Sequence, residues 1–114
     1  MAAEKTFENK VKKYIEGCGG WQVKFFANRM TKNGIPDILA CINGYFVAVE
    51  VKAENGKPSE LQKYHVREIN DTGGCAIILY PDQYEKFKQL VNYLNNDSWS
   101  KARRLVYQIN ERSF

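Results

Sequence analysis

Long apolar runs are missing from this chain of 114 residues. No stretch approaches the roughly 18 apolar residues that a membrane span requires, and the opening MAAEKTFENK has no apolar signal region. A soluble, cytoplasmic protein is therefore expected. Cysteine is scarce too. Cys18, Cys41 and Cys75 stand far apart with no C-x-x-C pair, so they read as buried free thiols of a reducing compartment. The one histidine, His65, falls on a predicted helix and reads as a packed or surface residue, not a catalyst. There is no internal repeat, low-complexity segment or proline-rich linker, which leaves residues 1–114 as a single domain, with a core over about 4–95 and a C-terminal extension over about 98–114.

What is present is an excess of positive charge. Seventeen lysines and arginines against thirteen acids leave a net charge of +4, which favours an anionic partner without identifying one.

The stretch Gly34 to Lys52, GIPDILACINGYFVAVEVK, organises the rest. Two apolar runs meet at Asn43-Gly44, the strongest short-range signal for a two-residue hairpin turn. That turn pairs Ile42 with Tyr45, Cys41 with Phe46 and Leu39 with Ala48, and it sets Asp37 opposite Glu50. Ile38, Ala40, Ile42, Tyr45, Val47, Val49 and Val51 form one apolar face. The other face ends in Asp37, Glu50 and Lys52 at the open end of the hairpin. Like charges opposed in a sheet are destabilising, so the two acids call for a compensating cation. A divalent ion with Lys52 beside it meets that demand, whereas an ordinary cross-strand ion pair would use the lysine alone.

The remaining elements follow from periodicity. Phe7, Val11, Tyr14 and Ile15 recur at helical spacing over Glu4 to Glu16 and place Glu4 and Glu8 beside the apolar stripe, where a carboxylate needs a partner such as Lys12 at i+4. Trp21 to Ala27 reads as a strand. The polar segment Asn28 to Asn33 carries Arg29 and Lys32, which suit phosphate contacts and a solvated loop equally well. Ser59 and Gln62 form an S-x-x-Q capping box for a helix running to about Asp71, and the helix start lies near the acids, where its free amides suit a phosphate. Cys75 to Tyr80 fits a buried strand reached by a crossover and so parallel to its neighbour. Pro81 to Leu94 reads as a helix, and the tail from Ser98 as either a helix or a docked strand. The fold class is α/β with a mixed sheet, in the order αβββαβα.

Pro36-Asp37, followed after twelve residues by Glu50-Val51-Lys52, resembles the PD-(D/E)xK nuclease signature. Over roughly residues 4 to 80 the chain resembles more closely the virus-type replication-repair nuclease (VRR-NUC) family, which is related in arrangement to Holliday junction resolvases. The matching positions are Glu8, Gly19-Gly20 with Lys24, Gly34 to Asp37, Glu50 to Lys52, and Gln62. The resemblance implies a restriction endonuclease-like core and a Mg2+- or Mn2+-dependent endonuclease. Its metal ligands would be Asp37, Glu50, the Val51 carbonyl and Glu8, with Lys52 catalytic, Gln62 reaching toward the site and Glu4 the fallback for Glu8. It further implies branched DNA as substrate, a homodimer, and phage or mobile-element origin, hence a host cytoplasm. Lys24, Arg29, Lys32, Lys57 and Lys63 are the candidate DNA contacts. The rival readings are a restriction-like endonuclease and a catalytically idle DNA-binding module.

Overall fold

The computed structural model describes residues 2–26 and 33–114; Arg29 and Lys32 lie outside the described residues. The elements run α1 (Ala2–Gly17), β1 (Trp21–Lys24), β2 (Ile38–Ile42), β3 (Tyr45–Val51), α2 (Glu60–Asp71), β4 (Cys75–Leu79), a 3-10 turn (Pro81–Gln83), α3 (Tyr84–Asn95) and α4 (Trp99–Asn110). The four strands lie side by side in chain order, antiparallel from β1 to β3 and parallel between β3 and β4.

The hairpin forms at Asn43-Gly44, where φ of 52° and 86° supplies the left-handed pair that matches the twist of the strands. Ile42 pairs with Tyr45, Cys41 with Phe46 and Leu39 with Ala48. The ladder stops at Ile38 opposite Val49, so Asp37 lies in a bend one residue beyond it. Pro36 has no amide hydrogen to extend the pairing. β1 pairs as far as Lys24 with Ile38, the Phe25 amide still donates to Asp37 O at 2.7 Å, and the end expected at Ala27 lies outside the described residues.

Alternation divides the core in two. Ile38, Ala40, Ile42, Val47, Val49 and Val51 pack with Cys75, Ile77 and Leu79 against α1, α3 and α4. A smaller cluster of Ala48, Ala76, Ile78 and Tyr80 lies under Val66 of α2 on the opposite face. Burying an isoleucine such as Ile42 or Ile77 completely stabilises the fold by about 1.5–3 kcal/mol. On that face Leu39 of β2 is partly buried against this cluster, while Trp21, Val23, Cys41 and Phe46 farther out are exposed. Cys41 lies there and is exposed, Cys18 is half-buried, and only Cys75 is the buried thiol expected of all three.

The tail is a helix, which makes the order αβββαβαα, one helix more than expected. Ala102, Leu105, Val106 and Ile109 give α4 its apolar side. Its placement answers a problem that hydrophobicity does not pose. β4 is an edge strand buried in the core, and its outward backbone groups need partners. Three side-chain amides provide them. Asn70 Oδ1 accepts from Ala76 N at 2.8 Å, Asn110 Oδ1 accepts from Ile78 N at 3.0 Å, and Gln83 Oε1 accepts from Tyr80 N at 3.1 Å. Asn110 Nδ2 also donates to Ala76 O at 3.0 Å. Periodicity cannot show this, because the partners come from three separate segments.

Asn110→Ala leaves the buried Ile78 amide without an acceptor. We expect a loss of about 1–3 kcal/mol in unfolding free energy, measured by urea denaturation, with the helical content of the folded state unchanged.

Candidate active site

The residues singled out in the sequence gather at the end of the sheet where the β2–β3 ladder stops. Glu50, on the α2 face of β3, is 3% exposed. Its Oε2 accepts from Gln62 Nε2 at 3.0 Å and lies 3.5 Å from Lys52 Nζ, while Oε1 is buried and has no donor among the described residues. Asp37 continues the hairpin through its side chain, with Oδ2 accepting the Val51 amide at 3.0 Å. Burial pushes the Glu50 carboxyl up to about 8, the Asp37 charge adds to the rise, and Lys52 offsets only part of it.

Gln62 has two tasks, one for each end of its amide. Ser59 Oγ accepts the Gln62 backbone amide at 3.1 Å, and Gln62 Oε1 accepts the Ser59 amide at 2.8 Å, which completes the capping box. That orientation turns Nε2 toward Glu50. The α2 start is held from behind by Gly34, where φ is 81° and a Cβ would stand 2.8 Å from the Leu61 carbonyl carbon. Only glycine permits that approach.

Glu8 is buried on α1 at 3% exposure. Lys24, at the end of β1, donates to Glu8 Oε1 at 2.8 Å and to Asp37 Oδ1 at 3.3 Å. The Lys12 ammonium stands 3.4 Å from Glu8 Oε2 without the alignment of a hydrogen bond. Burial works to raise the Glu8 carboxyl, but Lys24 and Lys12 outweigh it and hold the carboxyl below its ordinary value. Burial likewise works to lower the Lys24 ammonium, and Glu8 and Asp37 together raise it. Lys24 is thus engaged inside the site, and Glu8 reaches Asp37 through it. Sequence reasoning placed Lys24 among DNA contacts. The available signal was its place at the ladder's end, on the side of β1 that faces α1.

The other basic candidates lie farther out. Lys57 is exposed in the loop before α2, and Lys63 pairs with Glu60 at 3.0 Å. Glu4 is half-buried on α1, one turn before Glu8. A cavity of about 650 Å3 between α2 and α4, lined in part by Val66, Arg103, Tyr107 and Phe114, includes none of the acids discussed here.

Among the described residues, no three His, Cys, Asp or Glu side chains converge closely enough to hold a metal ion. Two carboxylates suffice for magnesium, which keeps waters or substrate oxygens in its other positions. The Asp37–Glu50 pair fits such an ion. Its donors are hard oxygens, one of them lacks a partner, and the repulsion that raises Glu50 is what a cation relieves.

The sequence model of the family described as archaeal Holliday junction resolvase (Hjc) matches residues 3–113. The chain belongs to this family. It is a Holliday junction resolvase-like nuclease with a PD-(D/E)xK fold, and DNA is the family's substrate class. Because the match takes in α4, the C-terminal helix falls within the resolvase family's own extent, beyond the roughly 4 to 80 over which the motifs alone could be followed. Among solved structures, a VRR_NUC domain superposes with a TM-score of 0.64 at 21% identity, covering 80% of this chain and 96% of that one. At that identity the likeness shows the fold. The comparison with curated proteins found no match.

Glu50 carries a sign that unfolding experiments can read. Below its ordinary value of 4.5 the carboxyl is protonated both folded and unfolded; between 4.5 and about 8 only the unfolded chain releases the proton. Stability from this group is therefore present at low pH and is lost as pH rises through that window. In EDTA, Glu50→Gln should raise the thermal midpoint at pH 8 but leave it nearly unchanged at pH 4.

Proposed function

We propose that this resolvase-family nuclease is a Mg2+- or Mn2+-dependent endonuclease that cuts branched DNA, four-way junctions in particular, as a homodimer. The observation that carries the reading is the buried Glu50 carboxylate set against Asp37, with one Glu50 oxygen left without a donor among the described residues and Lys52 beside it. Asp37, Glu50 and the Val51 carbonyl would hold the ion. When bound, it supplies a water made nucleophilic near neutral pH and an electrophile for the phosphate oxygens.

The other roles belong to the chain's own residues. Lys52 holds its ammonium 3.5 Å from Glu50 Oε2, where it would orient the attacking water or stabilise charge growing on the phosphate. Gln62 fixes the Glu50 carboxylate through Oε2, which leaves Oε1 without a donor among the described residues and so free to serve as a ligand. Glu8 holds Lys24, and Lys24 holds Asp37 against rotation. Lys57, exposed before α2, and Lys63, which would have to leave Glu60, would meet the backbone of the DNA. Such contacts read shape and phosphate and not base sequence. A cytoplasmic location accords with the three free thiols.

The homodimer has a surface to form on. Trp21 (63% exposed), Val23 (41%), Phe46 (47%) and Leu61 (44%) lie on the outer face of β1 to β3 and the adjoining flank of α2. Trp21, Cys41 and Phe46 form one lateral row of the sheet. An apolar patch of this kind marks an interface, and a four-way junction offers two symmetric cleavage points to a twofold dimer.

Cleavage of a labelled four-way junction and of a linear duplex of equal length, in magnesium, manganese or EDTA, tests the activity. We expect cutting of the junction with either metal, none in EDTA, and a loss of at least about a hundredfold in Glu50→Ala and Lys52→Ala. Discrete fragments from the linear duplex would favour a restriction-like enzyme. Binding with no cleavage in any condition would favour an idle module. For the dimer, sedimentation of Trp21→Asp and Phe46→Asp should show monomers where the native chain shows dimers; monomeric native protein at micromolar concentration would refute that part.

A further inference from the structure

The C-terminal turn reaches the Lys52 side of the site through one continuous chain of contacts. Lys52 follows β3, and its amide donates to Leu79 O at 3.0 Å, so Tyr80 runs on beside it in the parallel register. The chain then turns tightly at Ala53 to Gly56, closed by Gly56 N donating to Ala53 O at 2.9 Å. This turn packs on the lysine stem, for a Cβ at Gly56 would lie 3.4 Å from Lys52 Cδ. The stem is therefore walled on that side by a loop, and a loop holds its shape only if something ties it.

Two ties come from distant parts of the sequence. The Tyr80 hydroxyl donates to Gly56 O at 2.8 Å. Arg112, just beyond α4, donates through Nη2 to Glu54 O at 3.1 Å, and its guanidinium carbon sits 3.7 Å above the Tyr80 ring. The other nitrogen, Nη1, is 2.6 Å from Asp82 Oδ1, which anchors the guanidinium to the turn after β4. Arg112 suits this place because its planar fork donates in two directions while its face stacks on an aromatic ring. A lysine ammonium can donate in two directions but has no planar face to stack on the ring.

We propose that Tyr80 and Arg112 are positioning residues for Lys52, holding the Ala53–Gly56 turn against its stem so that the ammonium is fixed beside Glu50. The proposal rests on the reading of Lys52 as a catalytic residue. It makes the C-terminal turn part of the catalytic apparatus without contact with DNA or the reacting phosphate. A lysine free to swing through an ångström or more loses rate, not affinity.

The test uses the full-length protein with Tyr80→Phe, which deletes one hydroxyl and keeps the buried ring, and Arg112→Ala, at a temperature where circular dichroism shows both fully folded. On the four-way junction, kcat should fall about tenfold in each, with KM within about twofold of native. Amide exchange at Gly56 should accelerate in both, a readout that needs no activity. Native kcat in both variants, or a fall explained by raised KM, would overturn the proposal, the second outcome assigning Arg112 to the DNA itself. Lys52→Ala separates the two levels of inference. If it cuts as well as native protein, the catalytic reading of Lys52 fails and takes this proposal with it; if neither cuts, the junction-cutting reading fails and the proposal falls with that; if it is inactive while Tyr80→Phe and Arg112→Ala match native, only the positioning role fails.

Discussion

Two carboxylates pressed together at the end of a sheet are the constraint on which the rest of this structure depends. Asp37 and Glu50 repel each other, and Glu50 is almost wholly out of water. Nothing in folding favours such a pair, and a single glutamine in place of Glu50 would relieve it. The surrounding residues answer the repulsion without cancelling it. Lys52 offsets part of the Glu50 charge, Lys24 and the Val51 amide take the two oxygens of Asp37, and Gln62 takes one oxygen of Glu50. One oxygen is left over. An unpartnered buried carboxylate oxygen is destabilising, and the cost is borne by the core on the other face of the sheet.

The scaffold makes that arrangement rigid by giving single residues more than one duty. Gln62 caps α2 with its carbonyl and grips Glu50 with its amino group, so the start of the helix and the geometry of the acid cannot vary separately. Gly34 lets the loop before Asp37 lie against the same turn of α2. Asn43 not only turns the hairpin but donates to Leu94 O at 2.9 Å, and Tyr45 stacks flat on Trp99, which fastens the hairpin's closed end to the junction of α3 and α4. The closed end is pinned by packing and hydrogen bonds. The open end is where the charges are.

The hairpin was legible because everything that defines it is local. Asn43-Gly44 dictates the turn, the turn dictates the register, and the register brings Asp37 and Glu50 to one end of one face. The capping box at Ser59 and Gln62 is local in the same sense, as is the burial of Glu8 on the apolar stripe of α1. The end of β1's ladder pairing at Lys24, opposite Ile38, depends on Pro36 in the facing segment and so acts across strands. Cys41 was read as buried because its strand is apolar, yet burial depends on what covers the strand, and the cluster under α2 takes in Leu39 but not Cys41.

By itself, then, the sequence determined the elements near in chain order, the pairing of the two acids and the family motif they belong to. These follow from turn chemistry and alternation over a few residues. Only the tertiary structure decided what meets across long separations. Lys24 joins Glu8 to Asp37, α4 closes the edge of β4 through Asn110, and Arg112 ties down the turn beside Lys52. Those contacts depend on where whole elements dock, and docking is set by the summed burial of the core, which no local pattern encodes.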